Sequence, residues 1–71
     1  MKEYVVIYEQ GSGNWSAYSP DVPGCIATGQ TRADVERNFR EALEFHIEGL
    51  REEGLPVPEP SSQAGTVFIA A

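Results

Sequence analysis

The segment Ser19-Pro20-Asp21-Val22-Pro23-Gly24-Cys25 constrains the fold of this chain more than any other part of it. Each proline pushes the residue before it toward extended geometry. Pro23 and Gly24 suit the two central positions of a type II turn, because the second of these positions needs a positive φ that glycine tolerates. The sequence therefore predicts a rigid bend between two short strands.

Segments rich in aromatic and β-branched residues are typical of strands. They predict four strands, at about residues 3–10, 15–19, 25–29 and 66–70. The cluster Gly11-Ser12-Gly13-Asn14 is typical of a turn, so the first two strands are expected to form a hairpin.

One long helix is predicted at about residues 32–53. Thr31 is a good N-cap, and Asp34 stands three residues later, where an acidic side chain completes a variant capping box and suits the helix dipole. Gly54 is the natural residue to end the helix. Apolar residues recur at the spacing of one helix face, at Val35, Phe39, Ala42, Leu43, Ile47 and Leu50.

The order βββαβ predicts an α+β fold with the helix packed on one face of an antiparallel sheet. We expect residues 1–71 to form a single domain. The alternating prolines of residues 55–60 cannot join a sheet interior, and are expected to form a rigid strap that returns the chain to the sheet. Structural roles in this fold are assigned to Pro20, Asp21, Pro23, Gly24, Cys25, Thr31 and Gly54.

The chain is small and lacks the disulfides and metal sites that often stabilise small domains. A domain near this size buries only about 60% of the surface that its unfolded chain exposes. With one cysteine and one histidine, the chain can form neither an internal disulfide nor a closed four-ligand zinc site. Self-association is the remaining source of stability, so we expect a dimer or a larger oligomer.

Five basic and eleven acidic residues give a net charge of −6. Affinity for phosphate backbones comes from Lys and Arg, so we expect no direct binding of nucleic acid and a preference for basic partners. The sequence contains no membrane-length apolar run and no signal-peptide pattern at its N-terminus. A lone cysteine fits a reducing compartment, so a cytoplasmic protein without a membrane partner is predicted.

The residues able to carry catalysis are few. Cys25 is expected to be a buried thiol, since no basic side chain lies near it in sequence to lower its pKa. His46, the only histidine, falls on or beside the apolar face of the helix and is expected to pack there. A small hydrolase that uses both groups remains an alternative, which requires them to lie within about 3 Å of each other. We predict no enzyme, no metal site and no cofactor.

Five residues are candidates for binding a partner. Trp15 is expected in the core or at an interface. Asp21 is expected to cap the backbone of its own loop, with a partner-binding role as the alternative. Three carboxylates four residues apart form an acidic stripe that is either a solvated face or a docking surface for a basic protein, at Glu44, Glu48 and Glu52.

Residues 18–25 resemble the "pDlPGc" signature of HicB-like antitoxins. In that family a Gly-x-Thr segment then opens a helix, as Gly29-Gln30-Thr31 does here. The resemblance covers about residues 4–60. It continues through Asn38, Glu41-Ala42-Leu43, Ile47 and the exit Gly54-x-Pro56-x-Pro58.

The resemblance implies a partial ribonuclease H-like or double-stranded-RNA-binding-like fold that forms dimers or tetramers. It also implies a partner, a small basic mRNA-cleaving toxin of the HicA type, which the antitoxin of a type II toxin-antitoxin system binds and neutralises. The acidic charge of this chain fits such a partner.

Two departures from the family pattern shape the expected function. Many members carry a C-terminal DNA-binding domain, which this sequence does not show, so repression by this chain alone is not expected. The second and third strands carry no carboxylate for catalytic metal ions, so no nuclease activity is expected. The alternative function is an orphan oligomeric domain with a structural or ligand-binding role and no toxin.

Overall fold

A computed structural model describes residues 1–71. It contains three strands, β1 (Ile7–Gln10), β2 (Trp15–Tyr18) and β3 (Ile26–Gly29), followed by one helix, α1 (Arg32–Glu52). The strands form an antiparallel sheet in the order β1-β2-β3. The predicted arrangement of an antiparallel sheet followed by one long helix is confirmed.

The first strand is shorter than the sequence predicts. Its first residue, Ile7, pairs with Tyr18, the last residue of β2. The chain turns away immediately afterwards, at Ser19 and Pro20. Residues before Ile7 therefore have no neighbouring strand to pair with, and the bend limits the length of the sheet.

The bend has the predicted turn. Gly24 has a φ of +84°, and the amide of Cys25 donates to the carbonyl of Val22 at 3.4 Å. Val22 and Cys25 are both buried. The bend thus reverses the chain and also contributes two side chains to the core.

Both ends of α1 are capped as the sequence predicts. The amide of Asp34 donates to the Thr31 hydroxyl at 3.0 Å. Gly54 has a φ of +71°, and the amides of Gly54 and Leu55 donate back to carbonyls of the last helical turn. These two bonds are those of a Schellman motif, which satisfies carbonyls that the helix itself cannot.

The core lies between the sheet and the first half of α1. Only two helix residues, Val35 and Phe39, are buried in it. A helix of 21 residues is roughly 31 Å long, whereas a four-residue strand spans about 13 Å. The second half of α1 therefore extends past the sheet. The buried cluster consists of Ala17, Val22, Cys25, Val35 and Phe39.

The opposite face of the sheet has no covering element. Successive side chains of a strand point to opposite faces. Tyr8, Ala17 and Ala27 pair across the sheet and pack in or against the core under α1. The row beside them, which pairs Ile7, Tyr18 and Ile26, therefore lies on the open face.

The predicted fourth strand at residues 66–70 is wrong for the single chain. These residues form no strand, and all of them are exposed. The strap that precedes them is fastened to the bend after β2, so it does not bring the tail alongside an edge strand. A strand is stabilised by ladder hydrogen bonds to a neighbour, and this segment has no neighbour within the chain.

Gly29 allows β3 and α1 to approach closely. A Cβ atom at Gly29 would lie 2.6 Å from the amide nitrogen of Val35, a backbone atom that cannot rotate away. We expect Gly29→Ala to lower the free energy of unfolding by about 1–3 kcal/mol, since the helix must shift to accommodate it. Urea unfolding of the purified protein measures the change.

Gly49→Ala is the matched control. Gly49 lies within α1, and its Cβ would meet nothing within 4 Å. Alanine is favoured over glycine inside helices by about 1 kcal/mol, so this variant should be as stable as the parent or more so. Equal effects of the two substitutions would contradict the close contact at Gly29.

Candidate protein-binding surface

The overhanging half of α1 forms one side of an open groove. The N-terminal segment before β1 forms the other side, and the groove has a volume of about 830 Å³. Tyr4, Leu43 and Ile47 provide apolar surface in it. Its charged lining is mixed, with Glu44 and Glu48 beside Lys2, Arg40 and Arg51. The groove combines an exposed apolar surface with charge, which is typical of protein-binding surfaces.

Most of the unpaired negative charge lies on this part of α1. Three of the eleven carboxylates form ion pairs, those of Asp34, Glu36 and Glu59. Asp21 is bound by serines. Of the seven that remain, five lie between the middle of α1 and its C-cap, at Glu41, Glu44, Glu48, Glu52 and Glu53. Arg40 and Arg51, which form no ion pair, lie in the same part of the helix.

The structure brings together part of the predicted acidic stripe. Glu44 and Glu48 line the groove together with Arg40 and Arg51. Glu52 is exposed one turn further along and does not line it. Trp15, at the other end of the sheet, is half-buried and packs against the core. The groove, and not Trp15, is therefore the stronger candidate for binding a partner.

Asp21 fastens the C-terminal strap to the bend. One carboxylate oxygen accepts from the amides of Ser61 and Ser62, at 3.0 and 2.9 Å. The other accepts from their hydroxyls, at 3.1 and 2.8 Å. The expectation that Asp21 caps its own loop is therefore wrong, because its four bonds reach residues 40 or 41 positions along the chain. We call this set of bonds the Asp21 clamp.

Two further contacts hold the strap near the N-terminus. The Tyr4 hydroxyl donates to the carbonyl of Pro58 at 2.6 Å, and Lys2 forms an ion pair with Glu59. Sequence reasoning missed these contacts and the Asp21 clamp. The only local signal was an aspartate in a bend and two adjacent serines after the prolines, and nothing in the sequence pairs them.

Cys25 and His46 both line a second, smaller groove of about 370 Å³, on the side of α1 that faces β3. No hydrogen bond joins the two side chains. Burial raises the pKa of the Cys25 thiol, which is the opposite of what a cysteine nucleophile needs. The chain also has no cluster of three or more His, Cys, Asp or Glu that could hold a metal ion. The geometry gives the hydrolase alternative no support.

Comparison with known proteins identifies the family. The HicB-like antitoxin family of bacterial toxin-antitoxin systems matches residues 4–67, nearly the whole chain. The chain belongs to the HicB-like antitoxin family. The resemblance read from the bend, the capped helix and the Gly-Pro exit is thereby confirmed.

The relatives of this HicB-like chain differ in length. It is 39% identical over 62 residues to a 14.9 kDa protein from the rep-hol intergenic region of Haemophilus phage HP1, covering 84% of this chain and 47% of the phage protein. The chain thus spans about half the length of that relative. It is also 30% identical over 67 residues to a UPF0150 protein of Thermoplasma acidophilum, covering 94% and 97% of the two chains.

A solved structure shares the fold of this HicB-like chain. The structure is that of the HicA3 and HicB3 toxin-antitoxin complex, and the match has a TM-score of 0.73 at 37% identity. It covers 84% of this chain and 70% of the matched chain.

Separately, α1 is not apolar enough over its length to span a membrane.

The Asp21 clamp gives a pH-dependent prediction. Hydrogen bonds from the Ser62 and Ser61 amides, with those from the hydroxyls, hold the pKa of Asp21 below its usual value near 3.8. Because the folded pKa is lowered, the clamp contributes its full stability above about pH 4 and loses it as the pH falls through the folded pKa. The amide NMR signals of Ser61 and Ser62 should therefore titrate with a midpoint below 3.8.

Asp21→Asn is expected to abolish this titration and to shift both serine amide signals toward those of a free strap. Asp34→Asn is the matched control, because the hydrogen bonds to Arg37 and then Thr31 also lower the pKa of Asp34, but at the start of α1. It should leave the serine signals unchanged. If the Ser61 and Ser62 amide signals of Asp21→Asn titrate as they do in the parent protein, the clamp does not form.

Proposed function

We propose that this HicB-like chain is a non-enzymatic antitoxin that binds and neutralises a small basic mRNA-cleaving toxin of the HicA type. The observation that carries the proposal is the match, in fold and sequence, to a chain of the HicA3 and HicB3 complex. The proposal needs no cofactor and no catalytic residue.

The groove beside α1 is the proposed docking surface. A toxin that cleaves mRNA must hold a phosphate backbone, and proteins do so with Lys and Arg. The unpaired carboxylates on the second half of α1 would attract that basic surface and steer the encounter. The apolar floor formed by Leu43 and Ile47 would provide contacts that salt does not screen.

Neutralisation is proposed to occur by occlusion. An acidic surface bound to the basic surface of the toxin takes the place that RNA phosphates would occupy. RNA and the antitoxin then compete, and no chemical step on either protein is needed. Since the proposed target of the toxin is mRNA, the proposed location of this chain is the cytoplasm.

Self-association is also part of the proposal. The open face of the sheet and the exposed C-terminal tail leave apolar surface uncovered in the single chain. Large exposed apolar patches mark sites of protein interaction. The second candidate function, an oligomeric domain with no toxin, draws on this same observation.

Charge reversal tests the docking surface. Glu48→Lys should weaken binding of the toxin encoded beside this chain by several-fold, mainly through a slower association rate. Glu9→Lys makes the same change in net charge on β1, away from the groove, and should alter the affinity by less than about twofold. Surface plasmon resonance at low and high salt measures both rates.

The salt dependence separates the two candidate functions. For the antitoxin, raising the salt should weaken binding of the parent protein and shrink the difference between the two variants. Inhibition of RNA cleavage by the toxin should follow the affinities. If the parent protein binds no such toxin at micromolar concentration, the antitoxin function is wrong and the oligomeric domain remains.

A further inference from the structure

The C-terminal tail, residues 66–69, is an unpaired apolar segment. Val67, Phe68 and Ile69 are 82, 98 and 79% exposed. All three belong to residue types that favour strands, and the tail contains no proline or charge. Such a segment is a ready partner for a sheet edge or an apolar groove.

The smaller groove, between the start of β3 and the second half of α1, is also uncovered. Phe45, on α1, and Ile26, at the start of β3, border it and are 79 and 66% exposed, and the Ile26 side chain lies on the open face of the sheet. They are the most exposed large apolar residues outside the tail and the initiator methionine. Gly49 contributes no side chain to the groove and leaves open space above α1.

The edge of β3 is free at the same place. At its far end the Asn38 side-chain amide donates to the carbonyl of Thr28 at 2.9 Å, so this end of the edge is already occupied. The beginning of β3, at Ile26, has no such cover. An incoming strand at that point would pair with the edge and lay alternate side chains along the groove and over the open face of the sheet.

The Asp21 clamp fastens the chain four residues before the tail to the bend that borders this groove. Asp21 lies in the same bend as Gly24 and Cys25, which line one end of the groove. After Ser62 every residue is exposed and none belongs to a strand. The tail thus leaves its own chain from the bend that borders the groove, and none of its residues lines the groove.

We propose that the tail of each copy docks in the smaller groove of a second copy, in a symmetric dimer formed by strand exchange. Residues 66–69 of one chain add to the free start of β3 in the other, so that alternate side chains cover Phe45 in the groove and Ile26 on the open face. The inference rests on the self-association proposed above and does not depend on toxin binding.

A second copy is the occupant that the chain itself favours. Tail and groove are both apolar, and both are uncovered in the same molecule. If two copies exchange tails, each tail covers the groove of the other copy, and both subunits use the same surface, as a two-fold interface requires. The Phe68 and Phe45 rings of both copies, at about 150 Å² each, would bury roughly 600 Å². Stable interfaces bury roughly 1,200–2,000 Å², so Val67, Ile69, Ile26 and the paired strand backbones must supply the remainder.

Two single variants of the full chain test the exchange. Phe68→Asp changes the tail and Phe45→Asp changes the groove, and both side chains are exposed in the single chain, so neither should alter folding. Each should raise the dimer dissociation constant at least 100-fold, measured by analytical ultracentrifugation with circular dichroism as the check on folding. Gln63→Asp, which adds the same charge to an exposed residue before the tail, should leave the dimer intact.

A mixture of the two variants decides the geometry. The Phe68→Asp chain retains an intact groove and the Phe45→Asp chain retains an intact tail, so the mixture should form a heterodimer with one working site. A parent protein that stays monomeric at 100 μM, a Phe68→Asp protein that stays dimeric, or a mixture that does not associate would each overturn the proposal. A Phe45→Asp protein that stays dimeric would also overturn it, and would point to another site such as the β1 edge.

Toxin binding is measured on the same proteins to keep the two proposals separate. Monomeric Phe68→Asp that still binds the toxin supports both the exchange and the docking groove. A parent dimer that dissociates as expected on substitution, but binds no toxin, would leave the exchange standing and remove only the antitoxin function.

Discussion

The contact between Gly29 and the first turn of α1 determines how the rest of the molecule is arranged. Because β3 has no side chain there, the helix starts almost against the strand, and Val35 and Phe39 reach the core. The bend after β2 keeps the strands to four residues. A long helix fixed at one end of a short sheet must overhang the other end, and both grooves lie along that overhang.

The charges of α1 also differ between its two halves: those near its start form ion pairs, and the carboxylates of the overhanging half do not. Near its start, Arg32 pairs with Glu36 and stacks on the Tyr8 ring at 3.4 Å, and Asp34 pairs with Arg37. The second half carries unpaired carboxylates beside the negative end of the helix dipole, where a carboxylate is less stable by typically 0.3–1 kcal/mol. This arrangement does not help the isolated chain to fold, but it suits a surface that meets a basic protein.

Features set by neighbouring residues could be predicted from the sequence. The Pro23-Gly24 turn, the Thr31 cap and the end of α1 at Gly54 each depend on a few adjacent residues, and all three were predicted correctly. The unequal lengths of helix and sheet, and the grooves that result, could not be predicted in this way. Their prediction depends on which residues of β1 pair with β2.

The errors share one cause, which is dependence on distant groups. The role of Asp21 is set by two serines 40 residues away, which no local pattern reveals. The tail has the composition of a strand, but strand formation also requires an edge to pair with, and in the single chain the tail pairs with none. The composition of residues 66–69 shows that they favour a strand. It does not show whether the single chain offers them an edge to pair with.

The alternating prolines of the strap have a consequence for the size of any assembly. A prolyl nitrogen has no hydrogen to donate, so residues 56–60 cannot extend a sheet from one molecule into the next. Within the C-terminal region, only the residues beyond the clamp can add to the sheet of a second chain, and a reciprocal crossing uses both tails. A chain with such a strap favours a closed pair over an open-ended fibre, although it exposes a strand-forming segment at its end.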